Sequence, residues 1–208
     1  MNTWNYSKSE LLKADDSKLS FLVGVNLVNT SELILQFPFE MFRNTRKGWG
    51  RKKDLENHQL FASFQSIVNA IELLLKSHIA LINYELLFNN TKKVSRESII
   101  NGDFQSINFD KCIDTIESNS KNVIPQKIKD RIDCLRIIRN KVSHYYAETT
   151  NEMFLNYIAF GLDAYITIYR EFIKEKIYDS YDRTEGFEEE LSDFEEFVNS
   201  VLKDTKKD

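Results

Sequence analysis

A chain of 208 residues, 42% hydrophobic and 29% charged, is long enough for one domain with a sizeable core and a small appendage. Its net charge of −4 excludes a uniformly basic nucleic-acid binder but leaves room for a local basic patch. Six Gly and two Pro are few for the tight turns of an all-β fold, and two cysteines, Cys112 and Cys134, imply no disulfide framework. The expectation is an all-α protein in a reducing, cytoplasmic compartment.

The N-terminal stretch has no basic, apolar and small-residue succession of the kind that marks a signal peptide. Charges interrupt the longest apolar runs, so no membrane-spanning segment is expected. Apolar residues at helical spacing from Leu19 to Phe37 predict a first long helix over 16–37, ended by Pro38. A basic segment follows. Arg43, Arg46, Lys47, Arg51, Lys52 and Lys53 surround Trp49 and two glycines, with no acid between Met41 and Asp54. Such a segment is either a solvated loop or a track for an RNA backbone with Trp49 stacking a base. Its candidate RNA-binding residues are Arg46, Lys47, Trp49, Arg51, Lys52 and Lys53.

Residues 55–89 hold no Gly or Pro and repeat apolar positions from Leu60 to Leu86, which predicts a central helix of about nine turns. On it, His78 reads as a partly buried structural histidine, and Glu72 and Lys76 as an i,i+4 pair. Residues 90–103 read as a connection with a short helix. Asn108 offers an N-cap for a helix over 109–118, and Pro125 opens another that runs to about residue 147. The stripe of that helix is Ile128, Ile132, Leu135, Ile138 and Val142. Residues 149–151 make a turn and cap before an aromatic-rich helix over 152–178, in which Gly161 permits close approach of a neighbour. A final acidic amphipathic helix spans 187–202. The expected organisation is a helical domain over 1–183 and an acidic C-terminal helix or tail over 184–208.

The residues that carry chemistry are Arg139, Asn140 and His144. Cleaving RNA without a metal needs a base for the 2′-hydroxyl, a cation for the phosphoryl oxygens and an acid for the departing 5′-oxygen. Histidine transfers protons near neutral pH, and arginine offers a permanently charged fork to phosphate. On an ideal helix, Arg139 and His144 are about 140° and 7.5 Å apart, so one helix presents a poor pair. Two copies about a two-fold axis could bring both residues of each copy to one cleft, which makes a homodimer part of the mechanism. Asn140, four residues before His144, can fix the imidazole or touch phosphate. The bland alternative is that Arg139 and His144 are cations near a helix C-terminus, favoured there by the dipole.

Arg139, Asn140 and His144, with the upstream helix AIELLLKSHIALINYELLF and the aromatic helix after them, resemble the HEPN (higher eukaryotes and prokaryotes nucleotide-binding) superfamily over residues 55–175. That family is marked by Arg, four to six residues, then His. The resemblance implies a HEPN-like helical bundle, here with an extra N-terminal helix and an acidic C-terminal helix. It implies a dimeric, metal-independent endoribonuclease of toxin–antitoxin or anti-phage defence systems, leaving a 2′,3′-cyclic phosphate and needing no cofactor. Tyr146 extends the motif to Arg-x4-His-x-Tyr. Members with that pattern resemble toxins whose nucleotidyltransferase antitoxins attach AMP to the tyrosine, so a cognate partner protein is a further expectation. Glu72 is expected either to support its own helix or to aim Arg139. The alternative to a nuclease is a non-catalytic RNA-binding or protein-interaction module of the same family.

Overall fold

In a computed structural model, the described residues are 8–46, 57–89, 95–101, 105–121, 123–144, 150–177 and 184–204. At positions 8, 43–46, 57, 142–144, 184–185 and 204 only the backbone is described. The helices are α1 (Lys8–Lys13), α2 (Asp16–Arg46), α3 (Asn57–Ile82), α4 (Arg96–Asn101), α5 (Phe109–Asn119), α6 (Gln126–His144), α7 (Asn151–Ile168), α8 (Lys174–Ile177) and α9 (Thr184–Asp204). Among the described residues there is no strand, only one antiparallel bridge between Phe88 and Ser106. The fold is all-α.

Internal contacts divide the chain into two compact units, Met1–Thr30 with Glu72–Ile124, and Ser31–Ile71 with Pro125–Asp208. The division therefore does not follow the 183/184 boundary suggested by charge. Helices α2 and α3 each contribute one part to each unit.

In the first unit, Arg96 of α4 closes α1. Its guanidinium donates to the carbonyls of Leu12 and Ala14 and pairs with Asp16, which satisfies carbonyls that a short helix leaves open. Gly24 of α2 lies against α3, where an added Cβ would be 2.7 Å from Leu81. The Ser77 hydroxyl donates to the Gly24 carbonyl at 2.9 Å across this close contact. His78 is 1% exposed, a core histidine more deeply buried than the partly buried one its helical position suggested.

The long central helix ends earlier than its periodicity suggested. Asn83 is extended, and its side chain accepts from the Glu85 N–H, so the chain turns into a 3-10 segment, Tyr84–Leu87. An Asn side chain that satisfies a backbone donor locally competes with helix continuation. Asn108 precedes α5 with extended backbone, as expected of an N-cap, but without a side-chain capping bond.

The second unit centres on α7. Phe154, Ile158, Leu162, Tyr165 and Tyr169 are buried. Leu60, Phe64 and Ile67 of α3 are fully buried, as is Leu135 of α6, and Ile128 and Ile132 are nearly so. The acidic α9 belongs to this core. Its Phe187, Leu191, Phe194, Phe197 and Val198 are buried, while Glu189, Glu195 and Glu196 face outward. Phe194 meets Phe39 edge-on at 5.6 Å, and Phe197 lies 4.4 Å from Phe42. Arg170 reaches Glu195 at 3.0 Å, and Lys174 reaches Glu188 at 2.8 Å, adding ion pairs around the seam.

Those contacts explain why Pro38 does not end α2, contrary to the sequence expectation. It lies inside the helix. A proline there costs about 3 kcal/mol through its missing N–H and ring clash. Burying Phe39 and Phe42 beyond it returns about 1.5–3 kcal/mol each. The aromatic helix is also not uniform. It passes through a π-helical turn, Tyr169–Ile173, before α8.

Charges do interrupt the apolar runs, as expected, yet two helices still meet the length and composition of a membrane span. Asp16–Phe42 and His58–Ile82 are long and apolar enough to cross a membrane by length and composition. About half of each apolar window is buried inside the protein, 50% and 56%, as core helices also are.

Candidate functional site

Helix α6 carries the candidate chemistry. Pro125 precedes it, and its carbonyl accepts from the N–H groups of Ile128 and Lys129 at 2.9 and 3.1 Å. The helix then runs unbroken to His144. The i, i+4 and i+7 steps from Ile128 to Ile132 and Leu135 form its buried line. Arg139 continues that line four residues beyond Leu135, and it is half-buried. Asn140 and Lys141 are exposed, and Ile137 is 46% exposed despite its apolar side chain. On an ideal helix, position 144 falls in register with 137 and 140.

The structure therefore assigns Arg139 and position 144 to different faces of one continuous helix, separated by about 140°. A single copy does not present an Arg/His pair through α6 alone. The His144 side chain, Tyr146, Lys47, Trp49, Arg51, Lys52 and Lys53 lie outside the described residues, as does the Arg46 side chain.

Four contacts fix the placement of α6 against α7. Arg131 pairs with Asp163, and Lys127 approaches the same carboxylate at 3.8 Å. The Arg131 guanidinium also lies 5.3 Å from the centroid of the Phe160 ring. Burial lowers the pKa of Arg131, and Asp163 supplies the counter-charge for its half-buried cation. Lastly, Leu135 packs beside Gly161, 3.5 Å from where a Cβ would stand.

The sequence reading did not single out Asp163. Its signal was present: it is the only charged residue between Glu152 and Arg170, inside an apolar helix. An isolated acid in such a helix needs a partner, and Lys127 and Arg131 stand four apart on the preceding helix.

Glu72 pairs with Lys76 at 2.8 Å, and Lys76 also donates to Ser106 at 2.9 Å. This supports its i,i+4 role within the first unit. The half-buried Cys134 of α6 has its thiol pKa raised by burial, opposed by Lys141. Cys112 is fully buried, and burial pushes its thiol up to about 12.

No curated protein and no solved structure matches the chain. A family model described as a domain of unknown function, DUF3644, matches residues 55–185, which is more than half of the chain and includes α3 through α8. This match leaves out all of α1 and α2 and all but the first two residues of α9, so part of the second unit's core comes from the flanking helices. The chain belongs to the DUF3644 family.

Proposed function

We propose that this protein is a metal-independent endoribonuclease of a toxin–antitoxin or anti-phage defence system, acting in the cytoplasm as a homodimer. The observation that carries the reading is the placement of Arg139, Asn140 and His144 on the C-terminal half of one continuous α6, held to α7 by the Arg131–Asp163 pair. Because the two key positions diverge by about 140° on that helix, the active cleft needs α6 from a second copy.

In that cleft, the His144 imidazole takes the proton of a 2′-hydroxyl, and the 2′-oxygen bonds to phosphorus. The bond from phosphorus to the 5′-oxygen breaks. An imidazolium, from the second copy's equivalent residue, returns a proton to the leaving oxygen. Arg139 stabilises charge on the non-bridging oxygens, and Asn140 positions phosphate or imidazole. The product is a 2′,3′-cyclic phosphate. Tyr146 is the position at which a partner nucleotidyltransferase would attach AMP to silence the enzyme.

The half-burial of Arg139 on the core-facing line favours a second reading, in which the guanidinium is structural and the protein is a non-catalytic RNA-binding or protein-interaction module. Incubation with total RNA and with tRNA in EDTA separates the two. A nuclease yields cyclic-phosphate ends that are lost in His144→Ala and in Arg139→Ala, while both variants remain dimeric by light scattering. Cleavage that requires added metal, or that persists in both variants, overturns the proposal.

A further inference from the structure

In a chain of net charge −4, α6 carries six bases, Lys127, Lys129, Arg131, Arg136, Arg139 and Lys141, against two acids, Asp130 and Asp133. They are not spread evenly round the helix. Lys127 and Arg131 turn to Asp163. Lys129, Arg136, Arg139 and Asn140 fall within about 100° of one another on an ideal helix, an arc that also holds the buried Ile132. Lys129, Arg136 and Arg139 are half-buried and Asn140 is exposed. Partial burial suits long basic side chains whose stems lie along the helix flank while their charged ends reach its rim. Asp133 borders the arc and approaches Arg136 at 3.6 Å, with 61% of its own side chain exposed.

We infer that this flank, through Lys129, Arg136 and Asn140, is a track for the phosphate backbone of a single RNA strand that ends at Arg139. From position 129 to 139 the helix rises about 15 Å, the span of about four successive phosphates in a stacked strand. Lys129 and Arg136 neutralise phosphates ahead of the scissile bond, Asn140 donates an amide hydrogen bond, and Arg139 takes the reacting phosphate. This rests on the nuclease reading for the role of Arg139, but the track itself is read from charge and register.

The test uses the full chain with His144→Ala as the common background, so that substrate stays intact. A fluorescent 20-nucleotide poly(U) strand is titrated by anisotropy at several KCl concentrations. Combined Lys129→Gln and Arg136→Gln substitutions, which keep most of the apolar stem, are expected to weaken binding at least tenfold. They should also reduce the slope of log affinity against log salt by about 1.4, the value for two lost phosphate contacts on a single strand. Lys141→Gln, on the opposite flank of the same helix, should change affinity less than twofold. Matched thermal melting shows that all variants are folded, and Lys129→Arg with Arg136→Lys should restore most of the binding.

Absence of poly(U) binding by the background protein, an undiminished affinity in the double variant, or an equal loss in Lys141→Gln overturns the track. The two readings fail separately. Track-dependent binding by a protein whose wild type makes no cyclic-phosphate product sinks the nuclease and keeps the track. Cleavage of RNA by the wild type with unaltered binding in the double variant does the reverse.

Discussion

A Cβ placed on Gly161 of α7 would lie 2.6 Å from Cγ2 of Ile67 on α3. No real Cβ contact is that short, so the two helices approach as they do because position 161 has no side chain. Ile67 is 0% exposed and branched at Cβ, so it has little room to give way. Gly161→Ala gains about 1 kcal/mol of helix propensity. Overpacking of a rigid core costs about 1–3 kcal/mol, and we expect that cost to win. Urea denaturation should show a lower midpoint for Gly161→Ala, and a partial return when Ile67→Val is added.

Arg131 and Asp163 are expected to act as a unit. Removing the acid alone leaves a guanidinium whose side chain is only 13% exposed without its counter-charge. Asp163 is 29% exposed, so solvent relieves part of the penalty; we expect Asp163→Ala to cost about 2 kcal/mol. Adding Arg131→Met, which removes the orphaned charge while retaining packing volume, should recover more than half of that loss in a double-mutant cycle. Additive losses would show that the pair has no such role.

Helix α9 is predicted to be required for the second unit despite its acidic composition. Phe194 is 2% exposed and packs edge-on against Phe39. Truncating it to alanine should cost about 3–5 kcal/mol in equilibrium unfolding. A chain stopped after residue 183 would uncover the opposing apolar side chains of α2 and α7, and should lose cooperative thermal unfolding. Retention of a native melt by the truncated chain would show that α9 is the dispensable tail its charge suggested.

The thiols should differ in reactivity and in their contribution to alkaline stability. Burial raises Cys112 from 9.0 to about 12, so at pH 8 it stays a neutral, inaccessible thiol in the folded protein. An aromatic disulfide reagent should therefore label native protein at Cys134 and leave Cys112 unmodified until unfolding, with mass spectrometry reading the site. The linkage has a definite sign. Above about 9 the unfolded chain ionises Cys112 while the folded chain does not, so stability falls as pH rises from about 9 to about 12. Tyr169, whose pKa is raised by burial and by Glu32 and Glu188, acts in the same direction at higher pH. Cys112→Ala should flatten the decline in that first window.

Local rules were enough for the helical class and for a structural role of His78. The sparse Gly and Pro, the 3.6-residue apolar period and a cap for α7 within residues 149–151 were all legible, because each depends on residues within a turn or two of one another. The Arg139, Asn140 and His144 spacing was legible for the same reason, as was the divergence of its two ends on one helix. Tertiary packing decided the rest. Pro38 sits within a helix because Phe39 and Phe42 meet α9, residues more than 150 positions away. Asp163 became an anchor only when α6 brought Arg131 to it. The acidic C-terminal segment became core because its apolar stripe found α2 and α7, and net charge records nothing about which face of a helix has a neighbour. Composition and period report what a helix is made of, whereas its partners are set by contacts between segments far apart in the chain.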